Sequence, residues 1–125
     1  MHLSNAEWKA MSAMWQKHPA SARDVLDALA AETSWAYTTV KTILARLVDK
    51  GALKMRMRAN TSFYEPLLSR DDAQRSALRA LLDRAFEGSF GPMVHFLARD
   101  EKLSKKERQE LIRMLRVKNP KGGHS

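Results

Sequence analysis

Thr38, Thr39, Lys41, Thr42 and Arg46 are hydroxyls and cations spaced to share one face of a helix, with Ala45 beside them and no carboxylate among them. On the other side Val40, Ile43, Leu44, Leu47 and Val48 follow the spacing of a buried helical stripe. Gly51 then supplies the left-handed residue that commonly ends such a helix. A solvated helix face normally mixes charges of both signs to gain i,i+4 pairs, and this one does not. Short hydroxyls and amines instead suit a DNA major groove, where they reach base edges and phosphates without steric conflict. A surface helix that merely lacks acids would look the same in isolation, so the flanking sequence has to decide.

After Gly51 the apolar period changes from that of a helix to that of a strand. Leu53, Met55 and Met57 alternate with Lys54, Arg56 and Arg58, residues 59–62 read as a turn, and Phe63-Tyr64-Glu65 resumes an extended run. The pattern predicts a β-hairpin with its apolar face on the helices and its cations on the other face, a wing whose basic edge can hold phosphates. Between Trp35 and Arg58 there are six Lys/Arg against Asp49 alone, +5 of the chain's +8. Edge-strand cations placed against aggregation would account for the hairpin, but not for the hairpin and the helix together.

Upstream, Ser21 with Asp24 at N3 opens a helix whose buried stripe is Val25, Leu26 and Leu29, running to about Glu32. A short loop at Thr33-Ser34 joins it to the acid-free helix, which is a helix-turn-helix pattern, although the turn lacks glycine. Further back, Ser4 and Glu7 form a capping box and Leu3 can staple to Trp8. The helix they open is expected to bury Trp8, Met11 and Trp15, with Met14 beside them, and to stop near His18-Pro19. Two tryptophans seven residues apart read as a core anchor rather than as a platform for stacked bases.

Ser69 with Asp72 caps a long helix carrying Leu78, Leu81, Leu82, Ala85 and Phe86, which breaks at Gly88-Ser-Phe-Gly91-Pro92. A short helix with Met93, Val94, Phe96 and Leu97 follows, then one capped by Ser104 and Glu107 with Leu111, Ile112, Met114 and Leu115. This apolar surface has no third layer to cover it, which points to an arm completed by a second copy in a symmetric dimer. A basic amphipathic membrane or calmodulin-target helix is the competing reading of the last segment, but Glu107 and Glu110 interrupt its basic face and no aromatic anchors it. The expected organisation is a winged-helix domain over 1–68, a helical dimerisation region over 69–118 and a flexible tail over 119–125. The fold class is mainly α with a small β-hairpin.

The 125 residues, 44% hydrophobic, suffice for a small core, and the net charge of +8 favours an acidic partner. With no Cys, disulfides, thiolate metal sites and cysteine nucleophiles are excluded. No apolar run approaches a membrane span and no signal segment opens the chain, so it is expected in the cytoplasm, without membrane insertion. The four histidines are scattered, and no carboxylate pair, phosphate loop or nucleophile motif is present. An enzyme is therefore the poorest reading, and no cofactor or metal is expected. Two functions remain: a sequence-specific DNA-binding repressor, or a winged helix docking an acidic protein partner.

Several pieces occur together in order: Leu3-Ser-x-Ala-Glu-Trp8 with Trp15, Ser21-Ala22, Trp35 with Thr39-Val40-Lys-Thr42, Leu44-x-Arg46-Leu47, Lys50-Gly51, Tyr64 and Phe86-x-Gly88-Ser89. The ordered set closely resembles the penicillinase-repressor (BlaI/MecI/CopY) family over nearly the whole chain. The resemblance implies a homodimeric winged-helix repressor on a dyad operator. It places Thr38, Thr39, Lys41 and Thr42 toward the major groove and Arg46 on the neighbouring backbone, with Arg56 and Arg58 on the wing; the charge pattern adds Lys54. It also implies a dimer interface in the C-terminal helices, from Leu78, Leu81, Leu82, Phe86, Phe96, Leu97, Leu111, Ile112 and Leu115. The copper-responsive branch carries a cysteine cluster that this chain lacks. The β-lactam-responsive branch is cut by a membrane metallopeptidase at an Asn-Phe bond, whose counterpart here is His95-Phe96.

Overall fold

The computed structural model describes residues 1–99, 102, 104–110 and 113. The element order is α1 (Asn5–Gln16), β1 (Ala20–Ser21), α2 (Ala22–Leu29), α3 (Tyr37–Asp49), β2 (Leu53–Arg58), β3 (Thr61–Pro66), α4 (Arg70–Ala85) and α5 (Phe90–Arg99). The chain divides into two compact units, Met1–Ala77 and Leu78–Ser125, with the boundary inside α4.

Serine caps account for most of the helix starts. Ser4 Oγ accepts from the Glu7 amide and Glu7 Oε1 accepts from the Ser4 amide, a reciprocal box that satisfies two otherwise orphaned donors. Ser21 and Asp24 repeat it at α2, and Ser104 and Glu107 repeat it before the helical residues 105–110. Ser69 Oγ accepts from the Asp72 amide at α4. Gly51 lies at φ +85° and ends α3 in a Schellman pair: its amide donates to the Val48 carbonyl and that of Ala52 to Leu47.

In the first unit α1, α2 and α3 pack on one another and on a small antiparallel sheet of order β1-β3-β2. Met11, Met14, Val25, Val40, Leu44, Leu47 and Leu53 form its fully buried centre. The expectation that Trp8 and Trp15 anchor this core is corrected. Both are half-buried, meeting edge to face at a centroid distance of 5.9 Å, while the unbranched methionines on the same helix fill the interior. Trp15 Nε1 donates to the Leu68 carbonyl at 2.8 Å, so its polar edge is satisfied at the rim.

Two boundaries and one strand also differ from expectation. The second helix ends at Leu29 rather than near Glu32. Ser21 is both the N-cap of α2 and the last residue of β1, a two-residue strand whose Ala20 pairs with Tyr64, too short to leave an alternating pattern. The hairpin turn is only Ala59-Asn60, because β3 already begins at Thr61.

One buried charge ties the first unit together. Glu7 is 3% exposed, and Lys50 Nζ donates to its Oε1 at 2.6 Å and to the His2 carbonyl at 2.8 Å. Burial pulls the Glu7 carboxyl upward, but the hydrogen bonds and charge of Lys50 with the Ser4 cap outweigh it and hold it below its ordinary value. A depressed carboxylate contributes stability that is complete above the unfolded-state value of about 4.3 and is lost as pH falls through the lower folded value. Lys50 remains partly solvated, so Lys50→Met is expected to cost roughly 1–3 kcal/mol near neutrality. Glu7→Gln should flatten the acid side of the stability profile; urea melts across pH check both.

Candidate nucleic-acid interface

The rotation of α3 is set by its apolar stripe. Val40, Ile43, Leu44 and Leu47 are buried, which turns Thr38, Thr39, Lys41, Thr42, Ala45 and Arg46 to solvent. The polar residues singled out on this helix therefore form one continuous exposed face. Thr42 Oγ1 donates to the Thr38 carbonyl at 3.0 Å, so its hydroxyl proton is occupied and its lone pairs face outward. The N-cap is Ala36, which offers no side-chain acceptor, in contrast to the serines that cap α1, α2 and α4.

Sequence reasoning missed Tyr37 and Arg23. Tyr37, the first residue of α3, is 45% exposed. Its ring carries the Lys41 ammonium and the Arg23 guanidinium, each 5.9 Å from the centroid. Two cations on one ring restrain both long side chains at the start of the exposed face. The Lys41 contact follows from i,i+4 spacing, but Arg23 comes from α2 and is brought in only by helix packing. Tyr64 is buried in the first unit, and burial pushes its phenol up, with a smaller push from Tyr37.

The wing departs from expectation. Leu53 is buried against the helices, but Met55 and Met57 on the same face are 49% and 57% exposed, because the hairpin extends beyond the helical layer. Lys54, Arg56 and Arg58 are exposed on the other face, and their cross-strand partners are Glu65, Phe63 and Thr61. Arg56, Arg58, Phe63, Glu65 and Pro19 line a shallow depression of about 170 Å³ there. The Lys50 ammonium, although partly solvated, is engaged by Glu7 and the His2 carbonyl and so adds little to the basic surface. The basic character of the helix and hairpin surface thus rests on Lys41, Arg46, Lys54, Arg56 and Arg58.

The profile of the penicillinase-repressor family matches residues 3–117. The chain belongs to the penicillinase-repressor family. The methicillin resistance regulatory protein MecI of Staphylococcus aureus (strain N315) is 27% identical over 116 residues, covering 93% of this chain and 94% of that protein. The penicillinase repressor of Bacillus licheniformis is 27% identical over 113 residues, covering 90% and 88%. Among solved structures, the DNA-binding domain of the repressor BlaI matches at a TM-score of 0.51 and 28% identity, over 56% of this chain and 85% of that one. Bacillus licheniformis BlaI in complex with the blaP half-operator matches at 0.50 and 28%, over 58% and 88%. This is a family of repressors, not of enzymes, and the fold of the first unit is its winged helix.

In the second unit Leu82 and Met93 are buried, with Leu78, Phe86, Val94 and Leu97 packed against them. Leu81 and Phe96 remain 43% and 58% exposed. Leu111, Ile112 and Leu115 lie outside the described residues. His95 and Phe96 are both exposed on α5, His95 Nε2 lying 3.3 Å from Arg99 Nη1. Among the described residues no group of three or more His, Asp or Glu could hold a metal ion, and no helix is long and apolar enough to cross a membrane.

The hairpin tip offers a direct test of wing geometry. Ala59 and Asn60 lie at φ 49° and 68°, the paired left-handed conformations of a two-residue turn that favours Asn or Gly. Ala59→Asn is expected to stabilise the protein by up to about 1 kcal/mol, read as a higher urea midpoint at unchanged slope.

Proposed function

We propose that this protein is a sequence-specific transcriptional repressor that acts as a homodimer on a dyad operator in the cytoplasm. The observation that carries the reading is the exposed, acid-free face of α3 on a winged helix of a repressor family. In this mechanism α3 enters the major groove. Thr38, Thr39, Lys41 and Thr42 meet base edges, and Arg46 meets the adjoining backbone. The uncapped first turn of α3, with Arg23 and Tyr37 beside it, suits a phosphate, since free amide N–H groups and the helix dipole favour an anion. Lys54, Arg56 and Arg58 add sequence-independent phosphate contacts from the wing. Two such units on one dyad occupy major grooves about one helical turn apart and block polymerase sterically.

The second unit suits self-association. Its buried cluster is small and its surface retains Leu81 and Phe96, an apolar surplus that a second copy can cover. Release from DNA by a membrane metallopeptidase cutting His95-Phe96 is supported by the exposure of both side chains, and requires α5 to open locally. A winged helix docking an acidic protein would present the same charge, but nothing in the α3 hydroxyl face favours it over a duplex.

Fluorescence anisotropy on the duplex upstream of the gene, against a shuffled duplex over a salt series, tests the reading. The expected specificity ratio is ~10³ or more with a steep salt slope; equal binding to both duplexes, here and at other promoters, would reject it. Lys41→Ala should cost about 1–3 kcal/mol of operator discrimination, whereas a loss equal on all sequences would make Lys41 a phosphate contact only. Leu81→Asp with Phe96→Asp should shift sedimentation from dimer toward monomer. An unchanged dimer would place the interface elsewhere.

A further inference from the structure

The wing exposes two side chains that the reading above does not use. Residues directly opposite in an antiparallel ladder share a face, so Leu53, Met55 and Met57 lie with Pro66, Tyr64 and Ser62. Leu53 and Tyr64 on that face are buried against the helices, and Met55 and Met57 continue it outward into solvent. β2 packs on α3, and Leu53 is the β2 residue buried there, so the methionine face lies on the α3 side of the hairpin. The cations Lys54, Arg56 and Arg58 take the opposite face. An exposed strand is ordinarily protected by charge; here charge is present on one face only, and the face toward α3 is left apolar.

The tip of this hairpin is also narrow. Its turn is two residues long, and those residues are Ala59 and Asn60, so no bulky side chain widens it. Ser62 Oγ donates to Met57 Sδ at 3.2 Å, which holds the thioether along the strand. We infer that Met55 and Met57 form an apolar edge that seats in the minor groove flanking the segment read by α3, against its sugar walls and base edges. The inference rests on the DNA-binding reading. Its partner is identified by continuity with the α3 face and by charge, since the cations behind the methionines leave Glu65 as the hairpin's one acid. The minor groove is only about 6 Å wide, with sugars along its walls, and apolar side chains including methionine are used to wedge it. Flexible thioethers fit such a surface without fixed geometry.

The consequence is specificity at base pairs that α3 never touches. A guanine amino group on the groove floor obstructs an apolar edge, whereas an A·T pair leaves the floor clear. Replacing guanine with inosine removes that amino group and leaves the major-groove pattern of G·C intact.

The test uses the protein and its operator, with the base pairs that flank the α3 segment set in turn to A·T, G·C and inosine·C. Wild type is expected to lose about tenfold in affinity on G·C flanks and to recover it on inosine·C. The Met55→Ser/Met57→Ser variant should lose about tenfold on the native operator, with an unchanged salt slope because no charge is removed, and should no longer distinguish the flanks. Met55→Leu/Met57→Leu should restore most of the affinity. Wild-type indifference to the flanks, or Ser variants that bind and discriminate as wild type, would overturn the inference while leaving operator preference intact. Failure of wild type to prefer any operator over shuffled DNA would instead remove the DNA-binding reading and this inference with it. The flank substitutions act on the DNA alone, so the test stands even if a wing variant folds poorly.

Discussion

The Glu7–Lys50 ion pair joins the first turn of α1 to the C-cap of α3, fixing that end of α3 against the core. A carboxylate with 3% exposure has to be paired, since an uncompensated buried charge costs several kcal/mol. Lys50 is drawn inward by that requirement, and its second bond to the His2 carbonyl ties down the N-terminal arm. The same ammonium sits at the negative end of the α3 dipole. With the helix held at this end and its stripe of Val40, Ile43, Leu44 and Leu47 in the core, its rotation is determined. The exposed hydroxyl and cation face follows from that rotation.

The two ends of α3 are treated differently. The C-terminal end is closed by the Schellman turn at Gly51 and by Lys50, so its carbonyls and charge are satisfied within the protein. At the other end Ala36 provides no cap and the ring of Tyr37 gathers Arg23 and Lys41. An unsatisfied, positively polarised helix start surrounded by cations is poor for isolated stability, but it suits an anionic partner. In the function proposed above, stability and recognition fall at opposite ends of one helix.

The wing is divided by face rather than by end. Pairing alternation sends Lys54, Arg56 and Arg58 to one side and Leu53, Met55 and Met57 to the other. The helical layer covers only the base of the apolar side, through Leu53 and Tyr64. The outer hairpin therefore presents cations on one face and apolar surface on the other from one narrow element.

Much of this was legible in the sequence because it is encoded locally. Serine caps at Ser4, Ser21, Ser69 and Ser104, the glycine stop at Gly51, and the change of period after it depend on neighbours a few residues away. The exposed residues of α3 were readable for the same reason, since a buried stripe implies its opposite face. What the sequence left open depends on contacts between distant residues. Lys50 read as one more surface cation because its partner Glu7 lies 43 residues away. Arg23 joined the site only when α2 packed beside α3. The tryptophans read as core because they are large and periodic, yet the space between the helices admitted Met11 and Met14 and left the indoles at the rim. Period decides which face a side chain takes, but only the reach of the neighbouring layer decides whether that face is covered, and so it was the tertiary structure that left Met55 and Met57 bare.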